Sequence, residues 1–328
     1  MRRSIGTVML TLGVFCLAMA ALLRFYAAPK LVVAPTDEFA ILKLKTDSGS
    51  YLSEGKTVQA PLVSTTTLRG DTKASNEETA VWDYFSSLED ATSGKSLSTG
   101  SWRMAFDRET AQLSNCCGVT VEDNPGVKQS GIGVLFPVGG MDKKTYQRFD
   151  LVTGRAWPAV FQGEEKVGDI DAYKFSEKIE PTSVFEQFGV TGGVLGLDPK
   201  KAYDIDKVYA AEITVWVDPR TGVVIDQRQQ IDTRVKSKDG TVDLPALAAD
   251  LRMDEATRKQ QAETSGDAAT KIQALRLTGP IGSLILGVLL LVGGAAALRD
   301  RGRHRQGSSP AVEAPAPSVA ETTVTDKS

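Results

Sequence analysis

Two stretches of the chain carry no charge, residues Ser4 to Leu23 over 20 positions and Thr278 to Leu298 over 21. Each has about the length a helix needs to cross a hydrocarbon core of roughly 30 Å, which predicts two transmembrane α-helices. In the second, Ile281, Leu284, Ile285 and the run Val288 to Val292 leave no polar face, unlike the helix of a water-soluble core. Gly282, Gly287, Gly293 and Gly294 suit close helix packing inside a bilayer. Arg2 and Arg3 before the first stretch, and Ala18-Met19-Ala20 within it, also resemble a cleavable signal peptide. Because the apolar run continues to Leu23 and only then meets Arg24, an uncleaved signal anchor over 1–24 is preferred, and either form exports the chain downstream of it.

Between the two stretches the period shortens. Phe39 and Ile41 alternate with Ala40 and Leu42, and a Thr-rich segment from Ser64 to Leu68 comes after them, so residues 31–241 read as an extracytoplasmic β-rich domain. The clearest unit runs from Glu212 to Val217, turns through Asp218-Pro219-Arg220-Thr221-Gly222, and returns from Val223 to Ile231. Pro219 presets φ for a turn and Gly222 tolerates positive φ, which predicts a β-hairpin with a bulge. The signature Asp-x-x-Thr recurs at Asp107 to Thr110, Asp150 to Thr153 and Asp218 to Thr221. Its uneven spacing argues against a periodic repeat, and its aspartates are expected to bond backbone amides inside turns rather than calcium.

From Leu244 to Leu275 the residues become Ala, Leu, Glu, Lys, Arg and Gln, predicting a helical juxtamembrane segment over 242–276, split in two at Gly266. The span at 278–298 comes next, and then a Ser-, Pro-, Ala- and Glu-rich tail over 299–328 of the composition of a disordered segment. The expected fold is therefore a mainly β exported domain with a helical C-terminal segment, flanked by two transmembrane α-helices.

Charge adds the orientation. Arg299, Arg301, Arg303 and Arg305 come directly after the second stretch, and Arg2 and Arg3 precede the first, so both termini are expected in the cytoplasm and the middle outside it, a two-pass plasma-membrane topology. The mean hydropathy of -0.14 conceals this division. Residues 31 to 276 hold 29 of the 38 basic and 37 of the 41 acidic groups, a net charge of -8, which disfavours nucleic acid as a partner and leaves the membrane, a lipid or other envelope proteins.

Candidate chemistry is sparse. The single histidine, His304, sits in the basic cluster after the second stretch, so neither a Ser-His nucleophile nor a histidine metal site is expected in the exported part. No local signature picks out a pair of acid and base carboxylates, so no catalytic residue and no cofactor are expected. Gly131-Ile132-Gly133 and Gly139-Gly140 followed by Lys144-Thr145 lack the glycines of a nucleotide loop and read as tight turns or close strand approach. Cys116 and Cys117 are adjacent, and in an oxidising compartment they form either a vicinal disulfide or a pair of buried thiols pointing opposite ways; Cys16 lies in the first stretch. Aromatic residues cluster around Trp82, Trp102, Trp157 and Trp216, as a packed core or an internal apolar groove would require. Trp102 and Trp157 are the candidate groove-lining residues.

Several segments together resemble a known family: Leu135-Phe136-Pro137, Lys143-Lys144-Thr145-Tyr146, Phe149-Asp150, the Cys116-Cys117 pair, and Trp216-Val217-Asp218-Pro219-Arg220-Thr221-Gly222. With the terminal apolar stretches, they make the chain similar to the actinobacterial porin PorA-like family, over nearly its whole length to about Arg305. The resemblance implies a place in the cell envelope of a high-GC Gram-positive bacterium and carries over no catalytic residues. The expected function is a non-enzymatic envelope protein whose exported β-domain binds an apolar ligand, a lipid, or another envelope component. The alternative is a structural or transport-associated subunit, including a porin-like role.

Overall fold

The computed structural model describes residues 2–303; of the tail expected to be disordered over 299–328, residues 299–303 instead continue the preceding helix, and the rest, with His304 and Arg305, lies outside the described residues. Two compact units are present, one built from the terminal helices and the other from Arg24–Thr278.

In the first unit, α1 (Arg2–Leu22) packs antiparallel on α4 (Gly279–Arg303). Glycines make the contact: a Cβ on Gly13 would sit 2.8 Å from Leu291 Cγ and 3.0 Å from the Gly287 carbonyl, and one on Gly294 would sit 2.9 Å from the Gly6 carbonyl. Backbones this close gain dispersion contacts that larger side chains would prevent. The opposite faces expose Val8, Leu12 and Phe15 on α1 and Leu284, Ile285 and Leu289 on α4. Both helices are long and apolar enough to cross a membrane by length and composition.

The second unit opens with the short helix α2 (Ala28–Leu31) and is dominated by strands. These are β1 (Phe39–Ser53), β2 (Lys56–Gly70), β3 (Thr79–Asp90), β4 (Ser96–Asp107), β5 (Leu113–Ser114), β6 (Thr120–Val121), β7 (Tyr146–Asp150), β8 (Arg155–Val167), β9 (Ile170–Thr191), β10 (Ala202–Val217), β11 (Val224–Ser237) and β12 (Asp243–Met253). Eleven lie in one antiparallel path, β5-β4-β3-β2-β1-β12-β11-β10-β9-β8-β7, with β6 on β4. The sheet curls into a half-barrel around one continuous apolar core, to which alternate residues of each strand contribute, from Trp82, Trp102 and Phe106 to Phe175, Ile213 and Val215.

A strap at residues 131–133 joins the two end strands. Leu113 donates its N–H to the Gly131 carbonyl at 2.7 Å, Ile132 donates to Gln147 at 2.7 Å, and Phe149 donates to Ile132 at 2.8 Å. Gly131 has φ +75°, and a Cβ there would overlap the Gln147 carbonyl. The close strand approach expected of these glycines is thus the structural role of Gly131. Elsewhere the half-barrel stays open, since β9 pairs with β8 only as far as Glu177 and with β10 alone beyond it.

The three Asp-x-x-Thr turns are stapled by their aspartates. Asp107 accepts from the Glu109 and Thr110 amides, Asp150 from the Thr153 amide, and Asp218 from the Arg220 amide. The β10–β11 hairpin turns at Asp218–Gly222 as expected, with a bulge beside Trp216 and Val217.

The segment 242–276 differs from expectation. Its first part is strand β12, not helix, because both edges find partners, β11 on one side and β1 on the other, and Leu247, Ala249, Leu251 and Met253 alternate towards the core. Pairing on two sides outweighs the weak helix propensity of Ala and Leu. Helix α3 (Glu255–Gln273) then runs unbroken through Gly266. Asp254 caps it by accepting the Thr257 amide at 2.8 Å, while Thr257 Oγ1 accepts the Lys43 amide. Midway, fully buried Ser265 donates to Asp218 Oδ2 at 2.9 Å and meets Thr221 Oγ1 at 2.6 Å, docking the helix on the hairpin turn.

Two glycines of equal φ separate closure from local strain. Gly131 and Gly240 both have φ +75°, but only Gly131 is crowded. Gly240→Ala should cost about 1 kcal/mol from left-handed strain alone. Gly131→Ala should cost at least twice as much in denaturant unfolding of the full chain, and equal losses would show that the strap contributes nothing.

Candidate functional site

Inside the half-barrel lies a cavity of about 1240 Å³. Inward residues of β1, β2 and β3 supply one wall, including Leu42, Leu44, Leu68, Trp82 and Tyr84. β10, β11 and β12 supply another with Tyr209, Ile213, Ile231, Val235 and Leu251. Val134 and Leu135 extend from the strap, and α3 contributes Gln261, Thr264, Ala268 and Ile272 across one end. Leu31 and Ile272, both lining residues, are only a few positions along the chain from the ends of this unit.

The outer face of the same sheet is mixed, with Phe39, Ile41 and Phe85 exposed on β1 and β3 and a strongly polar row on β11. Along β11, Arg228, Gln230, Asp232 and Arg234 point away from the core, and Arg228 binds Asp250 through two 2.7 Å hydrogen bonds while Arg234 binds Asp243 at 2.6 Å. A lipid-facing barrel needs an apolar band on that side, and this sheet has ion pairs.

One charged cluster is buried beside the cavity. Arg148 donates to Glu177 at 2.7 Å, and their side chains are 13% and 2% exposed. Burial raises the Glu177 pKa against the opposing pull of Arg148, and burial likewise raises that of Asp150 despite its bonds from Thr153. Burial works against charge on Arg148, but Glu177 and Asp150 outweigh it and hold the guanidinium above its ordinary value. Arg148 Nε and Glu177 Oε1 nonetheless lack hydrogen-bond partners among the described residues, as does Trp102 Nε1.

The two candidate tryptophans separate. Trp102 is 4% exposed, lines the cavity, and packs against Tyr84 and Phe149 with ring centroids 5.9 and 5.4 Å away. Trp157 is not among the residues lining this cavity; its indole donates to Thr153 Oγ1 at 3.0 Å, tying it to the β7–β8 turn. Arg148, Glu177, Tyr209 and Thr233 went unnoticed in the sequence. Glu177 and Thr233 do carry a signal, since each occupies the inward phase of a strand, between Phe175 and Ile179 and between Ile231 and Val235.

Cys116 and Cys117 are joined as a vicinal disulfide on an exposed loop, with Cys117 at φ +63°. Among the described residues no group of three or more His, Cys, Asp or Glu is arranged to hold a metal ion.

An apolar-lined β half-barrel, flanked in sequence by apolar N- and C-terminal helices, defines the class: a helix-flanked β-domain protein with an internal chamber. The family model described as "Porin PorA" matches residues 5–296, and the chain belongs to the Porin PorA family, the one its sequence resembles. It is similar to a "Porin PorA" of Corynebacterium amycolatum, 24% identical over 208 residues covering 51% of this chain and 53% of that one. It is also similar to a "Porin PorA" of Corynebacterium resistens (strain DSM 45100 / JCM 12819 / GTC 2026 / SICGH 158), 24% identical over 147 residues covering 31% and 35%. The chain thus spans between about a third and a half of the length of the curated relatives it matches. Neither relative's name is that of an enzyme.

The cysteine pair gives a direct test. Mass spectrometry of the unreduced protein should find the peptide containing Cys116 and Cys117 two hydrogens lighter than after reduction. Complete alkylation of both without prior reduction would show free thiols.

Proposed function

We propose that this chain is a non-enzymatic cell-envelope membrane protein, anchored by α1 and α4, whose β-domain lies outside the cytoplasm and holds an apolar molecule in its cavity. The observation that carries this is the 1240 Å³ chamber, larger than pockets for drug-sized ligands and walled mainly by apolar side chains. Burying an acyl chain there would contribute roughly 0.8 kcal/mol per methylene, so a long chain needs no charged recognition. Two anchors would keep the domain near the membrane surface, where such molecules are found.

The porin-like alternative draws on the name of the relatives. Its sheet would be an unsuitable bilayer wall, because the outer face carries Arg228–Asp250 and Arg234–Asp243. A pair of helices in contact through Gly13 and Gly287 encloses no lumen either. Conduction would therefore require several copies assembled through the helices.

The ligand test uses the full chain, purified in detergent and released from it in native mass spectrometry. A retained lipid mass is expected, and Gln229→Trp, which fills the cavity from β11, should reduce it severalfold. A bare chain that also fails to take up a fluorescent fatty acid would refute ligand binding. Stepwise conductance of the same preparation in planar bilayers would then favour the channel.

Orientation is tested separately on intact spheroplasts. Added protease should degrade residues 31 to 276 and spare a tag placed after Ser328. Digestion of that tag from outside would defeat the two-anchor arrangement.

A further inference from the structure

Within the mainly apolar chamber, two hydroxyl-bearing side chains share one face. Tyr209 on β10 and Thr233 on β11 are register partners in the antiparallel ladder, so their side chains share a face about 5 Å apart at Cβ. Tyr209 is 6% exposed and Thr233 is 2% exposed, and both line the cavity. Among the described residues no hydrogen bond engages either side-chain oxygen, and neither oxygen is among the polar atoms sealed off by protein, so both open on the chamber. Their neighbours Ala211, Ile231 and Leu247 in the same ladder are apolar, while Lys207 on β10 and Gln229 on β11 also line the chamber. A buried hydroxyl without a partner costs free energy, and two of them on one face of a mainly apolar wall form a site for something that both donates to and accepts from them, or simply accepts.

The surrounding charges decide the kind of group. Arg148, the buried cation of this wall, is already engaged by Glu177 at 2.7 Å, and Asp150 is buried close by. Burial, then the Asp150 and Glu177 carboxylates, push the Tyr209 phenol well above its ordinary pKa, so it remains a protonated donor across the physiological range. A free carboxylate or phosphate beside the Tyr209 hydroxyl would meet two acidic groups and one cation that is already paired, whereas Lys207, the other lining cation of β10, is exposed to solvent, which screens its charge.

The geometry points to Tyr209 and Thr233 as the recognition site for an uncharged oxygen function, an alcohol or ester, carried by a long apolar molecule. This rests on the cavity being a ligand site, and it narrows that ligand to a neutral lipid. The hydroxyls fix where along the chamber the oxygen function sits, while the apolar wall holds the chain.

The test is a competition on the full chain in amphipol, read by extraction and mass spectrometry. Hexadecane, methyl hexadecanoate and hexadecanoic acid are offered together at pH 8 to the wild type and to Tyr209→Phe/Thr233→Val, which removes both hydroxyls at nearly constant volume. The wild type should prefer the ester over hexadecane by about tenfold, the effect of one or two neutral hydrogen bonds, and should take up the ionised acid least. The double variant should bind hexadecane as before and lose most of the ester preference. Unchanged hexadecane uptake shows that the variant is folded, and if it is not, Tyr209→Phe alone should halve the preference or better. Equal binding of ester and alkane by the wild type, a preference for the acid, or an unaltered ratio in the variants would overturn the assignment while leaving the cavity a ligand site. Failure of the wild type to take up any of the three would remove the ligand-binding function itself.

Discussion

Closure of the sheet by a single short strap is the constraint on which the chamber depends. An antiparallel path of eleven strands ends in two edges, and here those edges are β5, two residues long, and β7, five residues long. Strands so short have little hold of their own, and residues 131–133 bond to both. Only a residue without Cβ fits at 131, where the chain meets the Gln147 carbonyl in a left-handed conformation. The strap then delivers Phe136 to the centre of the core, against Phe175 at 5.0 Å and Tyr146 at 5.4 Å, with its amide bonded to the Gly222 carbonyl. Closing the edge and filling the core are thus one event in the chain.

The same sheet separates two environments. Its outward positions form ion pairs such as Arg103 with Asp71 and Asp83, and Arg228 with Asp250. Exposed pairs of this kind contribute about 0–1 kcal/mol each, so they matter more for keeping that face in water than for stability. The inward positions are apolar except at a few places, and those places are informative. Arg148 and Glu177 neutralise one another, whereas Tyr209 and Thr233 are left with hydroxyls turned to the chamber. For a member of the Porin PorA family, this puts the dry face inside the sheet, the reverse of a strand-walled membrane pore.

Helix α3 shows how a polar side chain can hold a lid in place. Ser265 is fully buried, and it reaches Asp218 in the hairpin turn that the sequence had marked only as a turn. Gly266 comes next without interrupting the helix. A buried aspartate with bonds from Arg220 and Ser265 would be costly to leave unpaired, so the docking site is specified by hydrogen bonds as well as by apolar contact.

Much of the fold was legible in local pattern. Charge-free runs marked α1 and α4, alternation marked β1 and β2, and Asp218 to Gly222 announced the hairpin, because each of these depends on near neighbours in the chain. Trp102 was legible as an inward aromatic, and Gly131 as a point of close approach. Strand β12 was not, since Ala and Leu favour a helix until β1 and β11 offer hydrogen bonds on both sides. Trp157 looked equivalent to Trp102 but is turned to Thr153 by its own hairpin. The pairing of Tyr209 with Thr233, and of Arg148 with Glu177, joins residues far apart in sequence through strand register, which no single segment encodes. The sequence by itself determined which segments are apolar, which alternate and where they turn. Only the tertiary structure decided which inward residues meet, because that depends on the order and register of strands summed around the half-barrel.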